Sequence, residues 1–320
     1  MDQWNPPRRC AGGRFCLHSG GVDDNPSAMA FVGHPQRGLA MKTLGTLVLS
    51  SRPLSWINTA FPFGLAYYVL TERVDQVLVV GFVFFLIPYN LLMYGINDVF
   101  DYESDLRNPR KGGVEGALLP PALHRVTLIT SALVPLPFLV LLVRWGSFSA
   151  SAVLALSLFF VIAYSAKGVR FKEIPFLDSM TSSAHFVMPA VYAIVFVGEG
   201  VSSLELLLLT SFFFWGMASH AFGAVQDVVA DRQAGVGSIA TVVGAKGTVR
   251  FAAVLYVLAG GALLGTPWPL PLIAPVALLY LATISPWWNV SDEAAEEANR
   301  GWKWFLLLNF VAGAVVVLVL

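Results

Sequence analysis

Charge is what this chain has least of. Only 12% of its 320 residues are Asp, Glu, Lys or Arg, and 20 basic and 20 acidic side chains cancel to a formal net charge of zero. A chain without a basic excess has no electrostatic footprint for nucleic acid. Cysteine is also scarce: Cys10 and Cys16 are the whole complement, too few and wrongly spaced for a disulfide framework or a structural zinc site. The N-terminal stretch lacks the uninterrupted apolar core of a cleavable signal peptide. Its Gly, Pro and charged residues read as a disordered extension over 1–40, ahead of a transmembrane domain over 41–320, with Met29 and Met41 as alternative starts. What abounds is apolar. Hydrophobic residues make up 56% of the chain and the mean hydropathy is +0.68, a composition suited to a lipid bilayer.

Nine apolar segments approach the roughly 20 residues needed to cross a hydrocarbon core. They lie near 53–71, 77–100, 124–143, 147–165, 176–197, 204–226, 248–265, 268–287 and 302–320. Backbone polar groups in lipid must be satisfied within each segment, so the expected fold is an all-α integral membrane bundle of about nine spanning helices. The connections alternate in character. Those after the second, fourth and sixth segments carry Arg107, Arg110, Lys111, Lys167, Arg170, Lys172, Arg232, Lys246 and Arg250, whereas the alternate ones carry Arg73 and Arg144. The bias toward positive cytoplasmic loops assigns the first set, and the N-terminus, to the cytoplasmic face.

Two acidic motifs follow these greasy runs. The second segment ends in NDVFDYESD, the sixth in QDVVADRQAG, each with an amide followed at once by Asp, and each before a basic loop. This weak repeat implies two pseudo-equivalent halves around a central cavity. Asn97, Asp101 and Asp105 fall at one-turn intervals on a helix, with Asp98 beside them; Asp227 and Asp231 are likewise one turn apart, and Gly235 one turn further. Opposed carboxylates repel and raise one another's pKa unless cations lie between them. Oxygen ligands without nearby His or Cys suit Mg²⁺, which is commonly shared between one or two carboxylates and substrate phosphate oxygens. Arg110, Lys111, Lys167, Arg170 and Lys172 can then hold a pyrophosphate. A metal-bound pyrophosphate leaves readily when the carbon it leaves becomes an allylic cation, which the rings of Tyr94, Phe100, Tyr102, Tyr164 and Phe171 can stabilise. The expected reaction is prenyl transfer, with the organic tail in a cavity that excludes water. Few cations lie at membrane depth beyond Arg52, so the acceptor cavity is expected to be apolar, with scattered polar groups such as Asn58, His185 and His220.

The pair Asn97-Asp98-x-x-Asp101-x-x-x-Asp105 and Asp227-x-x-x-Asp231-x-x-x-Gly235 resembles the motifs of the UbiA superfamily of intramembrane prenyltransferases, over residues 45 to 320. The resemblance implies that Asn97, Asp101, Asp105, Asp227 and Asp231 bind Mg²⁺ and the prenyl pyrophosphate, with Asp98 in support. The stretches SSRPLSWINTAFPFGLAY, FFLIPYNLLMYGINDVFDYESDLRNPRKGGVEGALLP and FFFWGMASHAFGAVQDVVADRQAGVGSIATVVGAKG are similar to the bacterial lycopene elongases of fifty-carbon carotenoid biosynthesis. That likeness implies dimethylallyl pyrophosphate as donor and lycopene, or another apolar polyene, as acceptor. Two other readings stay open: the same chemistry on an aromatic or chlorin acceptor, and a cation-coupled transporter, which also places carboxylates in a membrane interior.

Overall fold

The computed structural model describes residues 35–106, 118–198 and 200–320, and every regular element among them is helical. Helices α1 (Pro35–Ser50) and α2 (Trp56–Thr71) precede α3 (Gln76–Leu86) and α4 (Pro88–Phe100). The short α5 (Tyr102–Asp105) is followed by α6 (Pro121–Leu133), α7 (Leu136–Trp145), α8 (Phe148–Ser165), α9 (Leu177–Val197) and α10 (Ser203–Val225). Short helices α11 (Val228–Ala234) and α12 (Ile239–Val243) lead to α13 (Ala245–Leu264), α14 (Val276–Ile284) and α15 (Asn299–Val319).

Eight helical stretches among the described residues are long and apolar enough to span a membrane, α3 with α4 and α6 with α7 each counting as one. The protein is a multi-pass membrane protein. The first of the nine expected segments is shorter than the rest: α2 has 16 residues, about 24 Å of helix. Arg52, at φ 52°, turns the chain before it starts. Helix α1 begins at Pro35, ahead of the expected boundary at 40/41; residues 1–34 lie outside the described ones.

The junction of α3 and α4 shows how a break is tolerated at membrane depth. Pro88 has no N–H and opens the carbonyl ladder behind it. Asn90, fully buried, closes the gap by donating its amide to the Phe85 and Leu86 carbonyls at 2.9 and 3.0 Å and to Thr59 Oγ1 at 2.7 Å. Thr59 in turn donates to the Phe85 carbonyl at 2.6 Å, which ties α2 to the break. Asn90→Leu should therefore lower stability by about 1–3 kcal/mol, read as a drop in thermal midpoint in detergent.

The core divides as the repeat implies. One large cluster gathers residues of α2 to α9 around Phe63, Phe84, Phe85, Tyr89 and Tyr192; a second gathers α10 to α15 around Phe222, Tyr256, Tyr280 and Phe305; a small third one joins Leu263, Leu270, Ile273 and Ala274. Helices α9 and α10 form the seam. There Ser183 Oγ donates to the Phe213 carbonyl at 2.7 Å, and a Cβ on Gly216 would stand 2.3 Å from that hydroxyl, so only glycine lets the helices approach so closely.

Candidate active site

Both acidic motifs sit where a spanning helix breaks. Helix α4 stops at Phe100, Asp101 takes φ −98° and ψ −2°, and α5 resumes. Helix α10 stops at Val225 and Asp227 takes φ −98° and ψ −4° before α11. Backbone bonds nevertheless carry the one-turn spacing across each break: Asp105 N–H to Asp101 O and Asp231 N–H to Asp227 O, both 2.8 Å. The backbone thus matches Asp101 with Asp227 and Asp105 with Asp231.

The loop after α8 lies between the two breaks. Lys172 forms an ion pair with Asp101, and Arg170 reaches the same carboxylate and the Phe100 carbonyl, both at 3.4 Å. On its other side the Glu173 carbonyl lies so close to Gly237 that a Cβ there would meet it at 2.4 Å. Arg170 also pairs with Glu173 at 2.5 Å. Burial pulls the Arg170 guanidinium down, but Glu173 and Asp101 outweigh it and hold its pKa above the ordinary arginine value. The loop therefore presents fixed positive charge to the first acidic motif and abuts the second.

Asp98 is 1% exposed and accepts from Ser50 Oγ at 2.8 Å and from Arg52 at 3.1 Å. Arg52, expected to meet substrate, is occupied by this pair and lies over the Tyr94 ring at 4.4 Å, covering one face of it. Among the other rings, Tyr102 packs edge-on to His124 and Phe171 edge-on to Phe159, so both have protein neighbours of their own. Tyr164 lies further in, edge-on to His185 and His220 at 5.1 and 6.2 Å. Asn97, half-buried, accepts from Ser165 Oγ at 3.0 Å. Lys167 is exposed. Arg107, Arg110 and Lys111 lie outside the described residues.

Sequence reasoning missed Ser50, Ser165 and Asp178. The serines give no pattern, but Asp178 does leave a trace as a lone carboxylate opening an apolar segment. It is fully buried, accepting from the Ser179 and Ile239 N–H groups at 2.6 and 2.7 Å.

An apolar cavity of about 760 Å³ opens between α2, α9, α10, α13, α14 and α15. Its wall runs from Ile57 and Asn58 near the start of α2 to Leu70 near its end, and no Lys or Arg is among its described lining residues. Ser211 and Tyr280, two of the polar groups on it, donate to the Ala259 carbonyl and to Asn309. With Glu205, in the first turn of α10, also on it, the wall is suited to a ligand without an acidic group.

A divalent ion can be tested against the donors present. No group of three or more His, Cys, Asp or Glu among the described residues is gathered closely enough to enclose one. The donors are amide and carboxylate oxygens on two breaks, which fits a hard ion taking one or two carboxylates and completing its shell with water and phosphate oxygens. It does not fit an all-protein cage.

Comparison with known proteins converges on this arrangement. The model of the UbiA prenyltransferase family matches residues 59–311, which include both breaks. The chain belongs to that family. Accordingly it is an enzyme, a prenyltransferase, and the transporter reading falls away. Over 280 residues the prenyltransferase is 52% identical to a lycopene elongase/hydratase of Corynebacterium glutamicum, covering 88% of this chain and 98% of that one. It is 54% identical over 283 residues to a C(50) beta-cyclic carotenoids biosynthesis protein of a Dietzia species, covering 88% of this chain and 66% of the relative. A UbiA homologue of Archaeoglobus fulgidus, solved with DMAPP and Mg²⁺, superposes with a TM-score of 0.61 at 18% identity, over 84% of this chain and 99% of that one. At that identity the likeness concerns the fold alone.

Proposed function

We propose that this prenyltransferase adds dimethylallyl groups from dimethylallyl pyrophosphate to the ends of lycopene, with Mg²⁺ as cofactor. The observation that carries the reading is the apolar cavity lined along the length of α2 and by α9, α10 and α13 to α15, with no Lys or Arg among its described lining residues for an acid-bearing acceptor. Relatives that share half their residues with this chain and bear carotenoid names support it.

Asp101, Asp105, Asp227 and Asp231, with the Asn97 amide oxygen, are the groups that would hold the metal. When bound, Mg²⁺ supplies charge to the departing pyrophosphate oxygen. Lys172 and Arg170 give up part of their hold on Asp101 to bind phosphate oxygens, adding charge-assisted hydrogen bonds to the leaving group. Tyr164, deeper in, offers a ring to the allylic carbon, worth about 0.5–2 kcal/mol for a cation over its face. The apolar wall excludes water, so the allyl cation meets the terminal alkene before a hydroxyl. Because the pyrophosphate is made in the cytosol and the loops are basic, the breaks and the N-terminus are placed on the cytoplasmic face.

Expression in a lycopene-accumulating bacterium tests the reading. The expected extract contains carotenoids heavier by one and by two five-carbon units. Unchanged lycopene alongside membrane-inserted chain would overturn it, and prenylation of an aromatic or chlorin acceptor by the same membranes would replace it.

A further inference from the structure

The proposed reaction leaves a tertiary cation on the acceptor, and its collapse releases a proton whether the cation becomes an alkene or takes up water. Two groups unused so far, His220 and Asp178, adjoin Tyr164. On α10, His220 lies between Trp215, which lines the cavity, and Asp227 at the break. It is about 10 Å of helix from the latter at 1.5 Å per residue. From α9, fully buried Asp178 brings Oδ2 to 3.8 Å from His220 Nε2; from α8, Tyr164 lies edge-on to the imidazole, and Ser165 next to it bonds Asn97.

Asp178 is not free to move toward other partners. Its Oδ1 accepts from Ser179 N–H at 2.6 Å and Ser179 Oγ at 3.2 Å, and its Oδ2 accepts from Ile239 N–H at 2.7 Å. Two separate segments of backbone thus hold the carboxylate against one edge of the imidazole. The His220 side chain itself remains 21% exposed, against none for Asp178. His185, the other imidazole here, is 3% exposed and its Nε2 is engaged with the Phe160 carbonyl at 3.2 Å. Of the two histidines only His220 combines an anchored carboxylate with an open side.

We propose that His220 is the base that accepts the proton in the final step, with Asp178 as its positioning residue. The inference rests on the prenyl-transfer reading above. The C–O bond of the donor breaks and its electron pair leaves with pyrophosphate. The terminal π bond of the acceptor forms the new C–C bond, leaving a tertiary cation. That cation loses a proton to His220 Nδ1, the C–H pair becoming a new C=C bond; if water adds first, the oxonium gives its proton to the same nitrogen. The Asp178 charge, 3.8 Å from Nε2, favours the N–H on that edge and so the lone pair on Nδ1.

The test uses the purified full chain in lipid vesicles with dimethylallyl pyrophosphate, Mg²⁺ and lycopene, comparing wild type, His220→Gln and Asp178→Asn. His220→Gln should form elongated carotenoid about a hundredfold more slowly or worse, the usual scale for a general base, with its KM for the donor unchanged. Asp178→Asn should likewise lower kcat with the donor KM and the donor-induced stabilisation unchanged, a split that a merely structural role would not give. Donor with Mg²⁺ should raise the melting temperature of wild type and His220→Gln alike. A His220→Gln rate within about threefold of wild type would assign the proton elsewhere, to a pyrophosphate oxygen. Loss of donor-induced stabilisation in His220→Gln would make the residue structural and overturn the proposal. No elongation by wild type would overturn the function reading itself, and the base with it, a result distinguishable because it does not depend on the variants.

Discussion

Asp101→Asn and Asp231→Asn chains should reach the membrane at normal abundance and make no detectable elongated product. Each substitution keeps the shape and removes one negative charge from a helix break. At Asp101 that charge engages Lys172 and Arg170 in the free chain. In the working enzyme it would engage metal, and electrostatic groups at a reacting centre are typically worth 10²–10³-fold in rate. Chelation of divalent ions should reproduce the loss in the wild type, and added Mg²⁺ should reverse it. Full activity in both variants would remove the metal assignment from these residues. Asp227 should behave as Asp101 does, since the two hold nearly the same backbone angles in their respective halves.

Arg52→Met is expected to cost stability rather than chemistry. It leaves the Asp98 carboxylate buried with Ser50 as its remaining side-chain donor, and removing one partner of a buried ion pair typically costs about 3–5 kcal/mol. Burial pulls the Arg52 guanidinium down, yet Asp98 and Tyr94 outweigh it and keep its pKa above the ordinary value. The double variant Arg52→Met with Asp98→Leu should recover most of the loss, because neither charge is then stranded. Thermal unfolding in detergent would read both. A single variant as stable as wild type would mean that Asp98 finds another donor.

Helix was legible throughout because lipid leaves a chain with such long apolar runs no alternative for its backbone polar groups. The halves were legible from the two acidic motifs: an amide next to an Asp is conspicuous in a string of letters, whereas a matching φ and ψ is a property of the folded backbone. The pairing of Asp98 with Arg52 joins residues 46 apart in sequence, and no local pattern announces it. The basic loops could be assigned to one side by counting, but only the fold separates Lys172, seated on Asp101, from Lys167, left exposed. Asp178 escaped notice because one carboxylate has no spacing. His220 and His185 looked equivalent in sequence and diverge only through what each faces.

The cavity has walls of unequal packing. On one side α9 and α10 meet at Gly216, where not even a methyl fits, and α13 meets α14 at Gly260, whose Cβ would touch Ala277 at 3.0 Å. On the other side stands α15, almost none of whose spanning stretch is buried, though it contributes Phe310, Gly313 and Val317 to the same cavity. The chamber has one tightly packed side and one sparsely packed side. A search for variants that take a different hydrocarbon is best begun along α15, where a substitution disturbs the fewest protein contacts.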